Sequence, residues 1–218
     1  MNNESPLVIR VKIPVVGANG QVPVDHGAAL YGAISKLVPE LHADGIGISP
    51  LEGCTYSGNT LVLERSSYFQ LQVPYTMVPY ALKVAGRQLN INGKLLRTGV
   101  PQLILIRPSS QLFARFVTVK GKTEEQTLRE HIVKTITQFN SYESDSFNEI
   151  QILRRRVLNI HGKSVVAFGL VLSGLTDVLS VALQENGIGG RRRFGCGLLL
   201  PFNKELKNEQ RTRTASAG

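Results

Sequence analysis

Four histidines, His26, His42, His131 and His161, are the side chains of this sequence suited to carrying a proton at neutral pH, because the unperturbed imidazole titrates in that range. His42 is the strongest candidate. It follows an apolar helical stretch directly, within the turn-like run Glu-Leu-His-Ala-Asp-Gly-Ile-Gly. Tyr31, Ser35 and His42 are four and seven residues apart, so on a continuous helix they would fall close to one stripe. Pro39 works against that continuity. His42 reads either as a proton carrier or as a solvated turn residue. His26 stands beside Asp25, the expected N-cap, where the positive helix end opposes protonation. It reads as a substrate contact or as a loop residue. His131, at the edge of a helical apolar stripe, and His161, in a turn beside Gly162, read as structural or solvated.

Other chemistries are poorly represented. Asp25 and Asp44 are isolated and Asp145 lies in a polar linker, so the clustered carboxylates of metal-dependent nucleases are not suggested. Cys54 and Cys196 lie far apart without metal-ligand neighbours; they read as small apolar packing residues, with no zinc site or disulfide framework. No metal and no cofactor is expected.

Positive charge points to the partner. The 218 residues carry 25 Lys plus Arg against 16 Asp plus Glu, a net charge of +9, which favours a polyanion, nucleic acid first. No basic amphipathic helix and no long apolar run suggests a membrane, and the first residues lack the pattern of a signal peptide, so a cytoplasmic location is expected. The charge falls heavily in the second half, in Arg154, Arg155 and Arg156, in Arg191, Arg192 and Arg193, and in Lys120 and Lys122. Arg191 to Arg193 sit inside Gly-Ile-Gly-Gly-Arg-Arg-Arg-Phe-Gly-Cys-Gly, residues 187–197, with five glycines in eleven positions. Glycine allows positive φ and close approach to backbone N–H groups, and arginine supplies planar forks matched to phosphate. The segment reads as a phosphate-gripping loop or as a basic hairpin. It lacks the G-x-x-x-x-G-K-[ST] order of a nucleotide-binding loop.

The elements that must position these residues follow from periodicity. Residues 7–16 alternate as a half-buried strand, and Leu30, Ala33, Ile34, Leu37 and Val38 repeat at helical spacing. Residues 46–54 and 59–73 predict a hairpin across Gly58-Asn59; residues 76–85 predict a helix interrupted by Pro79; residues 88–94 predict a strand. The second half repeats this order. Residues 103–106 and 112–119 are strand material, a helix opens at Thr123-Glu124-Glu125, and residues 150–160 and 164–172 pair across His161-Gly162. A helix over 175–184 and a strand over 196–202 complete it. The expected fold is α+β, two tandem ferredoxin-like (RRM-like, βαββαβ) domains over residues 1–98 and 99–203, with a glycine-rich loop near the C-terminus and a disordered tail over 204–218.

The loop from Gly187-Ile188-Gly189 to Gly195-Cys196-Gly197, together with Leu30-Tyr31-Gly32-Ala33-Ile34-Ser35 followed by Leu41-His42, resembles the CRISPR repeat-processing endoribonucleases of the Cas-six type. The branch it resembles is the cyanobacterial or myxobacterial one. The resemblance implies a metal-independent cut in the repeat of a precursor CRISPR RNA, by attack of a ribose 2′-hydroxyl on the adjacent phosphate. It implies that His42 is general acid or base, with Tyr31, Ser35, His26 and Lys36 as candidate supports; Tyr31 and Ser35 complete the expected catalytic set. It also implies RNA contacts from Arg154 to Arg156, Arg191 to Arg193, His26, Lys36 and the loop glycines Gly187, Gly189, Gly195 and Gly197. The implied partners are the crRNA stem-loop and the other subunits of a Cascade-type effector complex. A catalytically inactive RNA-binding subunit and an unrelated RNA-binding protein are the competing readings.

Overall fold

A computed structural model describes residues 7–16, 20–139 and 149–202; the expected disordered tail lies outside these residues. The chain divides into two compact units, Met1–Ile106 and Arg107–Gly218.

In the first unit, β1 (Val8–Val16) precedes a short β2 (Gln21–Pro23), then α1 (Gly27–Leu37), β3 (Gly47–Ile48), β4 (Glu52–Ser57), β5 (Thr60–Pro74), α2 (Val78–Leu82), β6 (Gln88–Ile91), β7 (Lys94–Thr98) and β8 (Gln102–Leu105). Ile9, Val11, Ile13 and Val15 alternate into the core, as a sheet strand covered on one face requires. β1 pairs antiparallel with β5 on one side and with β8 and the end of β7 on the other, while β4 lies beyond β5. The order β4-β5-β1-β8 is that of a ferredoxin-like sheet, to which the β6–β7 hairpin is added.

The second unit is β9 (Gln111–Val117), α3 (Glu125–Phe139), β10 (Glu149–Ile160), β11 (Lys163–Ser173), α4 (Asp177–Asn186) and β12 (Leu200–Pro201), with sheet order β10-β11-β9-β12. One sheet face sends Leu112, Ala114, Leu170 and Leu172 against Leu128, Ile132 and Ile136 of α3 and Leu179 and Leu183 of α4. Each fully buried leucine or isoleucine there contributes about 1.5–3 kcal/mol.

Four expectations are corrected. Of residues 103–106, assigned from sequence to the second half, 103–105 lie in β8 and pair with β1, and the first compact unit runs to Ile106, past Thr98. Asp25 is not the N-cap of α1; His26 occupies that position, without a side-chain cap bond. Pro79 opens α2 and does not interrupt it, since proline lacks a hydrogen that the first turn would leave unpaired. The last strand shrinks to two residues, because residues 187–197 fold as a loop against β9.

Candidate active site and RNA interface

The turn that carries His42 is built by Pro39. With no N–H to donate, it ends α1 at Leu37, and residues Pro39–His42 wind on as a single 3-10 turn. Leu41, 0% exposed, anchors that turn in the core, while His42 is left exposed. The turn brings His42 back over α1. The Tyr31 hydroxyl and His42 Nδ1 are 2.6 Å apart, and the two rings meet edge to face with centroids 5.4 Å apart. Tyr31 is 7% exposed, so its ring packs in the core while its hydroxyl reaches the imidazole.

This contact suits a proton carrier. With the neutral ring's proton on Nδ1, as in the imidazolium, Nδ1–H donates to the phenol oxygen and Nε2 is free to accept a proton or to give one up; in the other neutral tautomer Nε2 carries the proton and the phenol donates to Nδ1. His42 therefore keeps its partner in both protonation states. A second tie comes from Lys83, just past α2, whose Nζ lies 2.8 Å from Glu40 Oε1 in the same 3-10 turn and 4.6 Å from the Tyr80 ring centroid. The Lys83 hydrogen bond holds the Glu40 carboxyl below its ordinary value. Sequence spacing gives no signal of this pair, whose members stand 43 positions apart.

Two other sequence candidates in this unit do not join the pair. Ser35 is buried, and its hydroxyl donates to the Gly32 carbonyl at 3.3 Å, one turn back along α1; the helix break that brings His42 to Tyr31 removes the continuous stripe on which Ser35 was expected. His26 is 1% exposed. Its Nδ1 donates to the carbonyls of Pro23 and Val24, at 3.0 and 3.1 Å, and its Nε2 accepts from Leu51 N–H at 2.8 Å. That geometry replaces the expected RNA contact with a scaffold role: both ring nitrogens are committed to backbone. Lys36 is exposed in the last turn of α1, where a cation is favoured by the helix dipole.

In the second unit the glycines of the loop serve close backbone packing. A Cβ on Gly189 would stand 2.3 Å from the Thr118 carbonyl oxygen, and one on Gly187 2.4 Å from that of Gly197. The N–H groups of Gly187, Ile188, Gly190 and Gly197 donate to Leu183, Gly197, Thr118 and Phe116 carbonyls. The expectation that Gly187 and Gly197 offer their N–H groups to phosphate is thus corrected: those hydrogens fasten the loop to α4 and to β9. Gly195 is buried and at positive φ. Phe194 lies edge to face on His161 at the tip of the β10–β11 hairpin, centroids 5.2 Å apart, which ties loop and hairpin together.

The arginines separate by exposure. Arg191 is exposed, Arg193 is half-buried, and Arg192 turns inward to the C-terminal end of α4. A bulge places Leu153 and Arg154 opposite the single residue Gly169, where Leu153 packs so closely that a Cβ on Gly169 would stand 3.0 Å from it. Arg154 and Arg155 are exposed, whereas Arg156 leans over Phe116 with its guanidinium carbon 6.0 Å from the ring centroid.

The two units make this a tandem ferredoxin-like protein. Solved structures share this fold: one described as "An RAMP protein binding different RNA substrates" has a TM-score of 0.64 at 12% identity over 90% of this chain and 100% of that one. One described as "CRISPR associated protein Cas6" has a TM-score of 0.59 at 12% identity over 91% and 100%. The Cas6 family model, described as "Cas6 Crispr", matches residues 9–204. A CRISPR-associated endonuclease Cas6 of Myxococcus xanthus (strain DK1622) is 34% identical over 203 residues, 93% of this chain and 85% of that protein. The chain belongs to the Cas6 family.

Proposed function

We propose that this protein is a metal-independent endoribonuclease that cuts precursor CRISPR RNA within the repeat and remains on the crRNA stem-loop as a subunit of a Cascade-type effector complex. The observation that carries the reading is the 2.6 Å contact between Tyr31 and His42, together with the identity to a protein named as an endonuclease. The ribose 2′-oxygen forms a bond to phosphorus as the bond to the 5′-oxygen breaks, leaving a 2′,3′-cyclic phosphate and a 5′-hydroxyl. One proton passes from the 2′-oxygen to the 5′-oxygen, so no further reactant is consumed. His42 carries it, as base when neutral and as acid when protonated. In this step Nδ1–H donates to the Tyr31 phenol oxygen in both protonation states, which leaves Nε2 to take the proton from the 2′-hydroxyl and to deliver it to the 5′-oxygen. Ser35 has no part in this step, since its hydroxyl is turned to the helix backbone.

Arg154, Arg155, Arg191 and Arg193 are the proposed phosphate contacts, because they carry guanidinium groups with surface exposure on the second unit. They would grip an A-form stem by shape and charge. Lys36 is proposed as an RNA contact on the first unit, being exposed.

The test is cleavage of the organism's own repeat RNA in EDTA. Cutting that persists in EDTA, yields a cyclic phosphate end and disappears in His42→Ala establishes the reading. Tight binding of RNA that stays intact would make the protein an inactive crRNA-binding subunit, and loss of cutting in EDTA would end the claim of metal independence.

A further inference from the structure

The three adjacent arginines of the glycine-rich loop divide into different roles. Arg192 Nη2 donates to the Glu185 carbonyl oxygen at 2.9 Å. Glu185 lies in the last turn of α4, where carbonyls have no intrahelical partner and the helix dipole is negative. The adjacent Nε is buried without a hydrogen-bond partner among the described residues, and it stands 3.5 Å from the place a Cβ on Gly187 would take. Burial pulls the guanidinium below the ordinary arginine value, as expected for a cation withdrawn from water.

A bidentate phosphate grip needs two adjacent N–H groups of the guanidinium fork. On the Nε–Nη2 edge of Arg192, one N–H is committed to Glu185 and the other is buried, so that edge is closed to phosphate. Arg191, by contrast, takes a left-handed conformation at φ 61° and ψ 34° and is exposed. Its carbonyl accepts from Phe194 and Cys196 N–H at 2.9 and 3.4 Å, closing the turn that begins at Arg192. The loop is therefore pinned to α4 by Arg192 and to the β10–β11 tip by Phe194 on His161.

We infer that Arg192 is a positioning residue: it braces the loop on the C-terminus of α4, so that Arg191 and Arg193 are presented to RNA, and it touches no phosphate itself. The inference rests on the reading that this loop binds RNA.

The salt dependence of repeat-RNA affinity separates a brace from a contact. A contact that is lost lowers the slope of log affinity against log salt by roughly 0.7–0.9 for each phosphate released; a lost brace weakens binding without removing an ion pair of its own. Arg191→Ala should lower the slope. Arg192→Met, which keeps an unbranched side chain without the fork, should weaken binding several-fold at every salt concentration with the slope unchanged, its fold confirmed by thermal melting. Arg192→Ala should do the same, and the Met variant is read where Ala unfolds the unit. A slope that falls in Arg192→Met as it does in Arg191→Ala, or an affinity that does not change, overturns the inference. Unchanged affinity and slope in Arg191→Ala, Arg193→Ala and Arg192→Met together would instead reject the loop as an RNA contact, and the brace with it.

Discussion

Tyr31 and His42 are joined through a 2.6 Å contact between the phenol and Nδ1, one residue fixed in the core face of α1 and the other exposed on the turn that Pro39 starts. His42→Ala should lower single-turnover cleavage by about 10²–10⁴, the usual contribution of a positioned acid–base group, with repeat-RNA affinity retained. Tyr31→Phe should lower the rate less, because it frees Nδ1 without removing the imidazole. Comparison of cleavage rate with RNA affinity checks both; a Tyr31→Phe enzyme as fast as the unaltered protein would remove the phenol from the mechanism.

The Glu40–Lys83 ion pair offers a second handle on the same turn. Glu40→Gln and Lys83→Met should each slow cleavage a few-fold, and the double variant should be no slower than either, since both break one tie. The pH sense follows from the sign of the shift. The Glu40 carboxyl is lowered in the folded state from 4.5, so its stabilisation is fully present above that value and is lost as pH falls through the lowered one. Near neutrality the pair is intact and Glu40 does not titrate, so the Glu40→Gln rate profile should keep the shape of its neutral limb at the few-fold lower rate.

His26 is expected to report on stability alone. His26→Ala leaves the Leu51 N–H and two carbonyl acceptors without their ring partner, a loss of about 1–3 kcal/mol for a buried unsatisfied group. Denaturant melts should show it, while the RNA affinity of the folded fraction stays constant. Weakened affinity in a fully folded His26→Ala protein would return this residue to the RNA interface.

Gly189 in the loop and Gly121, in the turn between Val119 and Lys122 that follows β9, separate backbone crowding from left-handed strain. Gly189→Ala forces a Cβ into the Thr118 carbonyl and strains a φ of 80°. Gly121→Ala, at φ 75°, meets nothing within 4 Å, so it incurs only the left-handed cost of about 1–2 kcal/mol. Gly189→Ala should be the more destabilised of the two in denaturant melts, and the one that loses RNA affinity.

Arg154→Ala and Arg155→Ala are expected to flatten the salt dependence of RNA binding, by roughly 0.7–0.9 in slope for each phosphate contact removed. Titrations at several salt concentrations measure this directly. A slope equal to that of the unaltered protein would confine these side chains to the solvated edge of the β10–β11 hairpin.

Much of the architecture is local and could be read without coordinates. Period-two alternation in β1, the Gly58-Asn59 and His161-Gly162 turns, and the apolar stripes of α1, α3 and α4 all follow from side-chain spacing. Residues 103–106 misled because strand propensity contains no partner: whether such a strand joins the first sheet or the second depends on which edge of β1 is open, a property of the assembled fold.

The sequence by itself determined that a histidine follows the first helix, that proline ends that helix, and that a glycine-rich basic segment precedes the last strand. These depend on residue type and near neighbours. Only the tertiary structure decided which groups meet. It brought Tyr31 to His42 while turning Ser35 to its own helix, buried His26 among backbone groups, and turned Arg192 to α4 while leaving Arg191 exposed. The physical reason is that hydrogen-bond partners and burial are set by packing between elements distant in sequence. An arginine or histidine of one chemical type can brace a fold or face a substrate according to what surrounds it.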